Sequence, residues 1–244
     1  MGIITFTIDE QQFSAQEEET VLDVARQHKL NIPTLCHLDG LSDIGACRLC
    51  LIEIEGSPKL MPACTTRPIE GMVVRTNTDR LKRYRRIIVE FLASEGNHQC
   101  SVCVVNSHCE LQNLAYNVGL THVRVPYLYP SKTLDATHKD FIMDRNRCVL
   151  CTRCVRVCNE VEGAHVWDIS NRGIQCKIIS DLDEPWGKSL SCTSCGKCVL
   201  VCPTGALIAK GESVAEMEKK TDFLKYIVTA RKKKEWISID SEEE

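Results

Sequence analysis

An α+β chain built from small cluster-binding modules is predicted, on three observations. The first is a doubled cysteine run. It reads Cys148-x2-Cys151-x2-Cys154-x3-Cys158 and, further on, Cys192-x2-Cys195-x2-Cys198-x3-Cys202-Pro203. Three thiolates within seven residues cap three corners of one [4Fe–4S] cube from a single loop. In the bacterial double-cluster spacing the fourth cysteine, expected to open the following short helix and point away, ligates the other cube. The expected sets are Cys148, Cys151, Cys154 with Cys202, and Cys192, Cys195, Cys198 with Cys158. The second observation is an N-terminal alternation, Ile4, Phe6 and Ile8 against Thr5 and Thr7, which gives a strand one apolar face. The third is composition. Aromatics make up only 5% of 244 residues while cysteines number 16, so clusters replace large side chains in much of the interior. Structural zinc takes four ligands, commonly as two separated cysteine pairs. A run of three cysteines plus a fourth, written twice, leaves ligands over in that scheme.

The remaining bulk properties exclude other classes. A net charge of −3 favours neither nucleic acid nor a charged membrane surface. Apolar runs such as Ile87-Ile88-Val89 and Val199-Leu200-Val201 are far too short to span a bilayer. The start, MGIITFTIDE, lacks the charged and apolar regions of a signal peptide. A cytoplasmic, reducing location is therefore expected, where clustered cysteines mean metal sooner than disulfides.

In chain order, residues 1–35 read as the start of a β-grasp. Asp9-Glu10 marks a turn after the first strand, and a second short strand surrounds Phe13. Thr20-Val21-Leu22-Asp23 resembles a capping box with Asp in place of Glu. It opens a helix with Val21, Val24, Ala25 and Leu30 near one face. Pro33 ends that segment by disfavouring α conformation at Ile32. Next comes Cys36-x10-Cys47-x2-Cys50-x13-Cys64, with a strand-like Leu51-Ile52-Glu53-Ile54 after the third cysteine. Four loop thiolates suit a [2Fe–2S] cluster. Zinc also takes four cysteines with one x2 pair and is the competing reading. Gly45 and Ala46 are small enough to let backbone N–H groups approach cluster sulfur, which raises the reduction potential. Met72 to Thr76 reads as the closing strand.

Thr78 caps a helix expected from Asp79 to Ala93. It carries Arg80, Lys82, Arg83, Arg85 and Arg86, read either as a solvated face or as a docking face for an acidic partner. Cys100-x2-Cys103-x5-Cys109 follows and leaves a cube one ligand short. His98 is the first candidate for the fourth ligand. His108 competes with it, and water or a partner group is the third possibility. Glu110 to Tyr116 continues as a helix that Gly119 stops. Residues 121–147 form a connector in which Pro126 and Pro130 interrupt any helix. Phe141-Ile142-Met143-Asp144 leads into the first doubled motif.

The insertion at 159–191 holds a hairpin. Within it Cys176 shares a strand face with Ile174 and Ile178 and is expected to be a buried apolar thiol. Gly205 to Ile208 forms a closing strand. Ser213-Val214-Ala215-Glu216 is expected to cap a C-terminal helix reaching about Ala230. Beyond it lie basic residues 231–234 and an acidic end at 241–244 that is expected to be disordered. The ligand count then nearly closes. With His98, all cysteines except Cys176 are used by one [2Fe–2S] and three [4Fe–4S] clusters.

This order of motifs resembles the N-terminal electron-transfer modules of the large iron–sulfur subunit of respiratory complex I and of iron-only hydrogenases. Closest is the small diaphorase iron–sulfur subunit, the HoxU family, of bidirectional NAD-linked nickel–iron hydrogenases. The resemblance rests on the Cys36 to Cys64 spacing, on Glu95-Gly96-Asn97-His98 leading to Cys109-Glu110-Leu111-Gln112, and on the doubled motif. The complex I and iron-only chains would continue into further large domains. They also place a ligating histidine four residues before the first cysteine, where Gly96 stands here. The expected fold is thus a β-grasp [2Fe–2S] ferredoxin domain at 1–78, followed at 79–120 by a small helical [4Fe–4S] domain whose ligands are one histidine and three cysteines. A two-[4Fe–4S] ferredoxin-like domain with its connector fills 121–210, and a C-terminal helix and tail 211–244.

The resemblance implies a non-catalytic electron-transfer subunit of an oxidoreductase. FMN and NAD(H) would sit on a diaphorase partner, and nickel–iron chemistry on a small and a large hydrogenase subunit. The residues themselves agree with a wire, since no G-x-G-x-x-G follows a strand. The alternatives are the equivalent relay of an NAD-dependent formate dehydrogenase or complex I-like NADH dehydrogenase, and a free ferredoxin-like carrier.

Overall fold

The computed structural model describes residues 2–128 and 131–233. Pro130, Lys234 and the acidic end lie outside the described residues. Ile3–Ile8 (β1) and Gln11–Gln16 (β2) pair antiparallel with Phe6 opposite Phe13. Asp9 and Glu10 both take positive φ, 44° and 72°, as a two-residue hairpin turn that follows the strand twist requires. Asp9 then accepts from Thr76 N at 2.7 Å, tying this turn to the end of the domain. Thr20 and Asp23 form a complete capping box at the start of Val21–Gln27 (α1). That helix buries Val21, Leu22, Val24 and Ala25. Leu51–Ile54 (β3), Met61–Pro62 (β4) and Val73–Arg75 (β5) complete a five-stranded sheet of order β2-β1-β5-β3-β4, with β1 and β5 parallel. Phe6, Ile8, Val74, Ile52 and the inner face of α1 form one core.

Thr78 caps Asp79–Glu95 (α2), accepting from Leu81 N at 3.2 Å. The basic run on α2 is not a single solvated face. Arg85 is buried and donates to Leu49 O at 3.0 Å and Leu51 O at 2.9 Å, because a guanidinium can satisfy two loop carbonyls at once. Glu90, fully buried on the other side, holds the Arg124 guanidinium and so pins the connector to the helix. Glu110–Asn117 (α3) packs on α2 and stops at Gly119, whose φ is +65°.

Leu134–Asp135 (β6) and Phe141–Asp144 (β7) precede the doubled motif. Arg153–Val157 (α4), the hairpin Trp167–Ser170 (β8) with Lys177–Ser180 (β9), Lys197–Leu200 (α5) and Leu207–Ala209 (β10) follow. The second sheet has the order β10-β7-β6, antiparallel throughout. The two short helices differ from the expectation that the fourth cysteine opens each one. Thr152 and Gly196, at φ +59° and +71°, turn the chain earlier, so the helices begin at Arg153 and Lys197. Each third cysteine therefore lies inside its helix; Cys158 opens the π-helical turn Cys158–Glu162 that continues α4, and Cys202 follows the end of α5.

Two further expectations are corrected. Cys176 is half-buried and precedes β9 rather than lying within it, and Ile174 is exposed. Positive φ at Asn171 and Gly173 spends those residues on the hairpin turn. The C-terminal helix starts at Phe223, not near Ser213, and runs to Lys233 (α6). The amides of Ala215 and Met217 bond to Cys103 O at 3.1 Å and Val104 O at 3.0 Å. Ala215 takes φ +64°, in the left-handed region that a right-handed helix excludes, and the strap's amides are held by these distant carbonyls instead. Among the described residues no helix is long and apolar enough to cross a membrane.

Candidate metal centres

Four groups of thiols converge. In the first, the loop between α1 and β3 brings Cys36 and Cys47 together, with Cys47 N 3.4 Å from Cys36 Sγ. Cys50 Sγ and Cys64 Sγ stand 3.5 Å apart. The thiols thus form two pairs. Hydrogen bonding from Cys36 pulls Cys47 down to about 5, while the same bond and burial push Cys36 up. The Cys50 and Cys64 pair divides likewise, Cys50 lowered and Cys64 raised. Two pairs match a two-iron rhomb, in which each iron takes two thiolates. Arg85 fixes the Leu49 and Leu51 carbonyls on either side of Cys50.

In the second group one cavity is lined by His98, Cys100, Cys103 and Cys109, with Gln112, Arg147, Thr204 and Gly205. His108 is exposed and does not line it. The His98 Nε2 faces Leu92 O at 3.2 Å. A carbonyl only accepts, so Nε2 carries the proton and Nδ1 keeps its lone pair. Burial lowers the His98 pKa, which favours that neutral ring. The imidazole folds back over Gly96, where a Cβ would lie 2.2 Å from Nε2. Position 96 therefore has no room for a side chain beside this ring. Arg147 Nη1 donates to Cys103 Sγ at 3.1 Å.

Cys148, Cys151, Cys154 and Cys202 line the third cavity, among Met143, Ile178 and Leu207. Cys158, Cys192, Cys195 and Cys198 line the fourth, against Phe141, Trp167 and Trp186. These are the two crossed sets that the spacing predicts. Burial pushes Cys148 up to about 11 and Cys151 and Cys198 up to about 12. Thiolates in such places need cations beside them, as iron provides. Trp186 Nε1 lies 3.3 Å from Cys192 Sγ, and Val166 N lies 3.4 Å from Cys158 Sγ. N–H groups aimed at sulfur stabilise added negative charge there. Among the described residues no three Cys, His, Asp or Glu side chains converge tightly enough for a single metal ion. The thiols ring cavities instead.

The cavities adjoin. Thr204 lines both the second and the third. At Gly205 a Cβ would lie 2.6 Å from Cys103 Sγ, so only glycine lets this wall be so thin. From α4, Arg156 donates to Cys36 O, Ser42 O and Cys151 O, joining the first group to the third. Neighbouring Arg153 donates to Glu110 and to His37 O. Arg147 could have been suspected as a cation beside Cys148, and Thr204-Gly205 as the residues following Cys202-Pro203. Trp186, Arg156 and Arg153 leave no comparable local signal.

Residues 3–79 match the model of a 2Fe-2S iron-sulfur cluster binding domain. Residues 85–124 match the NADH-ubiquinone oxidoreductase-G iron-sulfur binding region, and 141–208 the ferredoxin-like domain of NADH-quinone oxidoreductase subunit 3. The chain thus carries domains of the kinds that bind 2Fe–2S and 4Fe–4S clusters. It is 36% identical over 208 residues to the alpha subunit of the NADPH-Fe(3+) oxidoreductase of Geobacter sulfurreducens, covering 85% of this chain and 24% of that one. It is also 36% identical to HndD of the NADP-reducing hydrogenase of Solidesulfovibrio fructosivorans, over 85% of this chain and 36% of that one. The chain thus spans between about a quarter and about a third of the length of these two relatives. The gamma subunit of the NAD-reducing hydrogenase HoxS of Cupriavidus necator is 33% identical over 85% of this chain and 87% of its own. A crystal structure of an NAD+-reducing [NiFe]-hydrogenase in the H2-reduced state contains a chain that superposes with a TM-score of 0.81. That chain is 34% identical, with 86% of this chain and 88% of that chain covered. With the fold and most of the length of the gamma chain shared, the protein belongs to the family of the NAD-reducing hydrogenase gamma subunits.

Proposed function

We propose that this chain is an electron relay between a flavin- and NAD(H)-binding subunit and a nickel–iron hydrogenase module. The observation that carries it is the contiguity of the four thiol groups through Arg156, Thr204 and the α4 segment from Cys154 to Cys158. Clusters would supply one-electron exchange with little reorganisation, at potentials that the surrounding dipoles and burial set. Cys36, Cys47, Cys50 and Cys64 would hold a [2Fe–2S] cluster. His98, through Nδ1, would join Cys100, Cys103 and Cys109 at one cube, its other nitrogen donating to a carbonyl as metal-bound histidines do. Cys148, Cys151, Cys154 and Cys202 would hold a second, and Cys158, Cys192, Cys195 and Cys198 a third. Arg147 and Trp186 would place donors at cluster sulfur. A reducing cytoplasm suits so many free thiols.

An identity of 38% to an NADH-quinone oxidoreductase chain of Rhizobium meliloti favours a second reading, the same relay in a complex without nickel. Nickel in the natively purified complex decides between them.

The relay reading is tested by reductant. NADH gives up two electrons together as hydride, while each cluster accepts one, so a flavin has to stand between them. The isolated, iron-loaded chain is expected to bleach with dithionite and stay unchanged with NADH. Adding the flavin-bearing partner confers NADH-dependent bleaching. Rapid reduction of the flavin-free chain by NADH would overturn the proposal.

A further inference from the structure

The chain between β10 and α6 is an irregular strap that carries Lys219 to the centre of the cluster-binding half. Its amides at Ala215 and Met217 bond to the Cys103–Val104 segment, and the Met217 side chain is buried. These contacts fix the strap over the loop that supplies the second thiol group. Two residues on, the Lys219 ammonium turns inward and donates to Val199 O at 2.8 Å and Leu207 O at 2.6 Å. Val199 follows Cys198 of the fourth group. Leu207 lines the third cavity together with Cys202. One ammonium is thus held between the third and fourth groups, at the end of a strap whose amides are bonded to the loop of the second. Among the described residues no carboxylate pairs with it, and its recorded bonds go to carbonyls alone. Lys219 is half-buried, and the thiol groups around it are the nearest source of counter-charge that the structure shows. Burial lowers its pKa, and charge on Cys202, Cys198, Cys103 and Cys109 opposes that shift. These cysteines come from all three cube sets and from none of the [2Fe–2S] set.

We propose that Lys219 is a positioning residue for electron transfer, which raises the reduction potential of all three [4Fe–4S] clusters together and leaves the [2Fe–2S] potential alone. The proposal rests on the ligand sets given above. A positive charge held in a half-buried place beside a cluster favours the state with one more electron. Lys219 arrives from a segment outside all the cysteine motifs. The potentials of the cubes are thereby coupled to the docking of the strap.

The test is an anaerobic redox titration of the iron-loaded full chain, followed by electron paramagnetic resonance. Wild-type protein short of three cube signals would sink the ligand sets, and the proposal with them. Given those signals, Lys219→Met and Lys219→Gln are expected to retain all the iron and shift the cubes to lower potential. For the most affected cube the shift is about tenfold in the reduction equilibrium, about 59 mV for one electron. The [2Fe–2S] potential stays in place, and Lys219→Arg, which keeps the charge, restores the cubes toward wild type. Unmoved cubes in iron-replete neutral variants would overturn the proposal. So would an equal shift of all four clusters, or a shift in Lys219→Arg as large as in Lys219→Met. Loss of the cubes from both neutral variants would assign Lys219 a role in assembly instead and likewise overturn it.

Discussion

At the scale of single residues, the protein uses the same few chemical groups for two purposes. Cysteines gather around the cavities, and cations and N–H groups aim at their sulfurs. His98 lines the second cavity beside its thiols, with one ring nitrogen facing Leu92 O, and its proposed role as a ligand is open to test. His98→Ala is expected to lose about four irons per chain, the content of one cube. His98→Cys keeps that cube at a lower potential, because thiolate adds negative charge where imidazole adds none. Iron analysis and a potentiometric titration read both outcomes; an unchanged cube in both variants assigns the ligand elsewhere. The cysteines were legible in the sequence because ligand spacing is a local property, set by how far a loop reaches around a cluster. The residues that surround them were not. Arg156 reaches Cys36 O from 120 positions away, and Trp186 approaches Cys192 through a bend that no periodicity marks. Gly96 is an intermediate case. The fold-back of His98 over that position explains why a glycine is needed there.

At the scale of elements, local rules held where local donors and acceptors were left to each other. The capping box at Thr20, the cap at Thr78 and the stop at Gly119 all sit where their residue types place them. The same kind of signal at Ser213 did not start a helix, because Ala215 is held at φ +64° while its amide and that of Met217 bond to Cys103 and Val104 carbonyls. Helix α2 shows how an amphipathic pattern can conceal a clamp. Its basic run reads as surface, yet Arg85 is buried under the [2Fe–2S] loop, and Glu90 on another face binds Arg124. Hydrogen bonds from Arg124 depress the Glu90 carboxyl to about 2, from an ordinary value of 4.5. The folded value is the lower one, so its contribution to stability is present above about pH 4.5 and is lost as pH falls toward 2. Glu90→Gln should therefore loosen the connector at neutral pH. The difference from wild type stays constant from about pH 8 to 5 and narrows below 4.5. Hydrogen exchange at the amides of α2 and residues 121–128 measures it, and a difference that widened in acid would contradict the assignment.

At the scale of the whole molecule, modules that could each be read from the sequence are joined by contacts that could not. Arg156 and Arg153 tie the β-grasp to α4, Thr204 and Gly205 separate two cavities by a single thickness of chain, and Leu224 of α6 packs against Gly40. Arg156 links the first thiol group to the third and Thr204 lines both the second and third cavities, an arrangement that suits a wire better than a set of independent carriers. A relay of this kind requires all four thiol groups to hold iron at once, with Cys176 alone standing apart. Its most direct measurement is the iron, acid-labile sulfide and zinc content of the chain purified without oxygen. About 14 irons per chain, matching sulfide and little zinc are expected from one two-iron and three four-iron clusters. Stoichiometric zinc, or about eight irons or fewer, would contradict it.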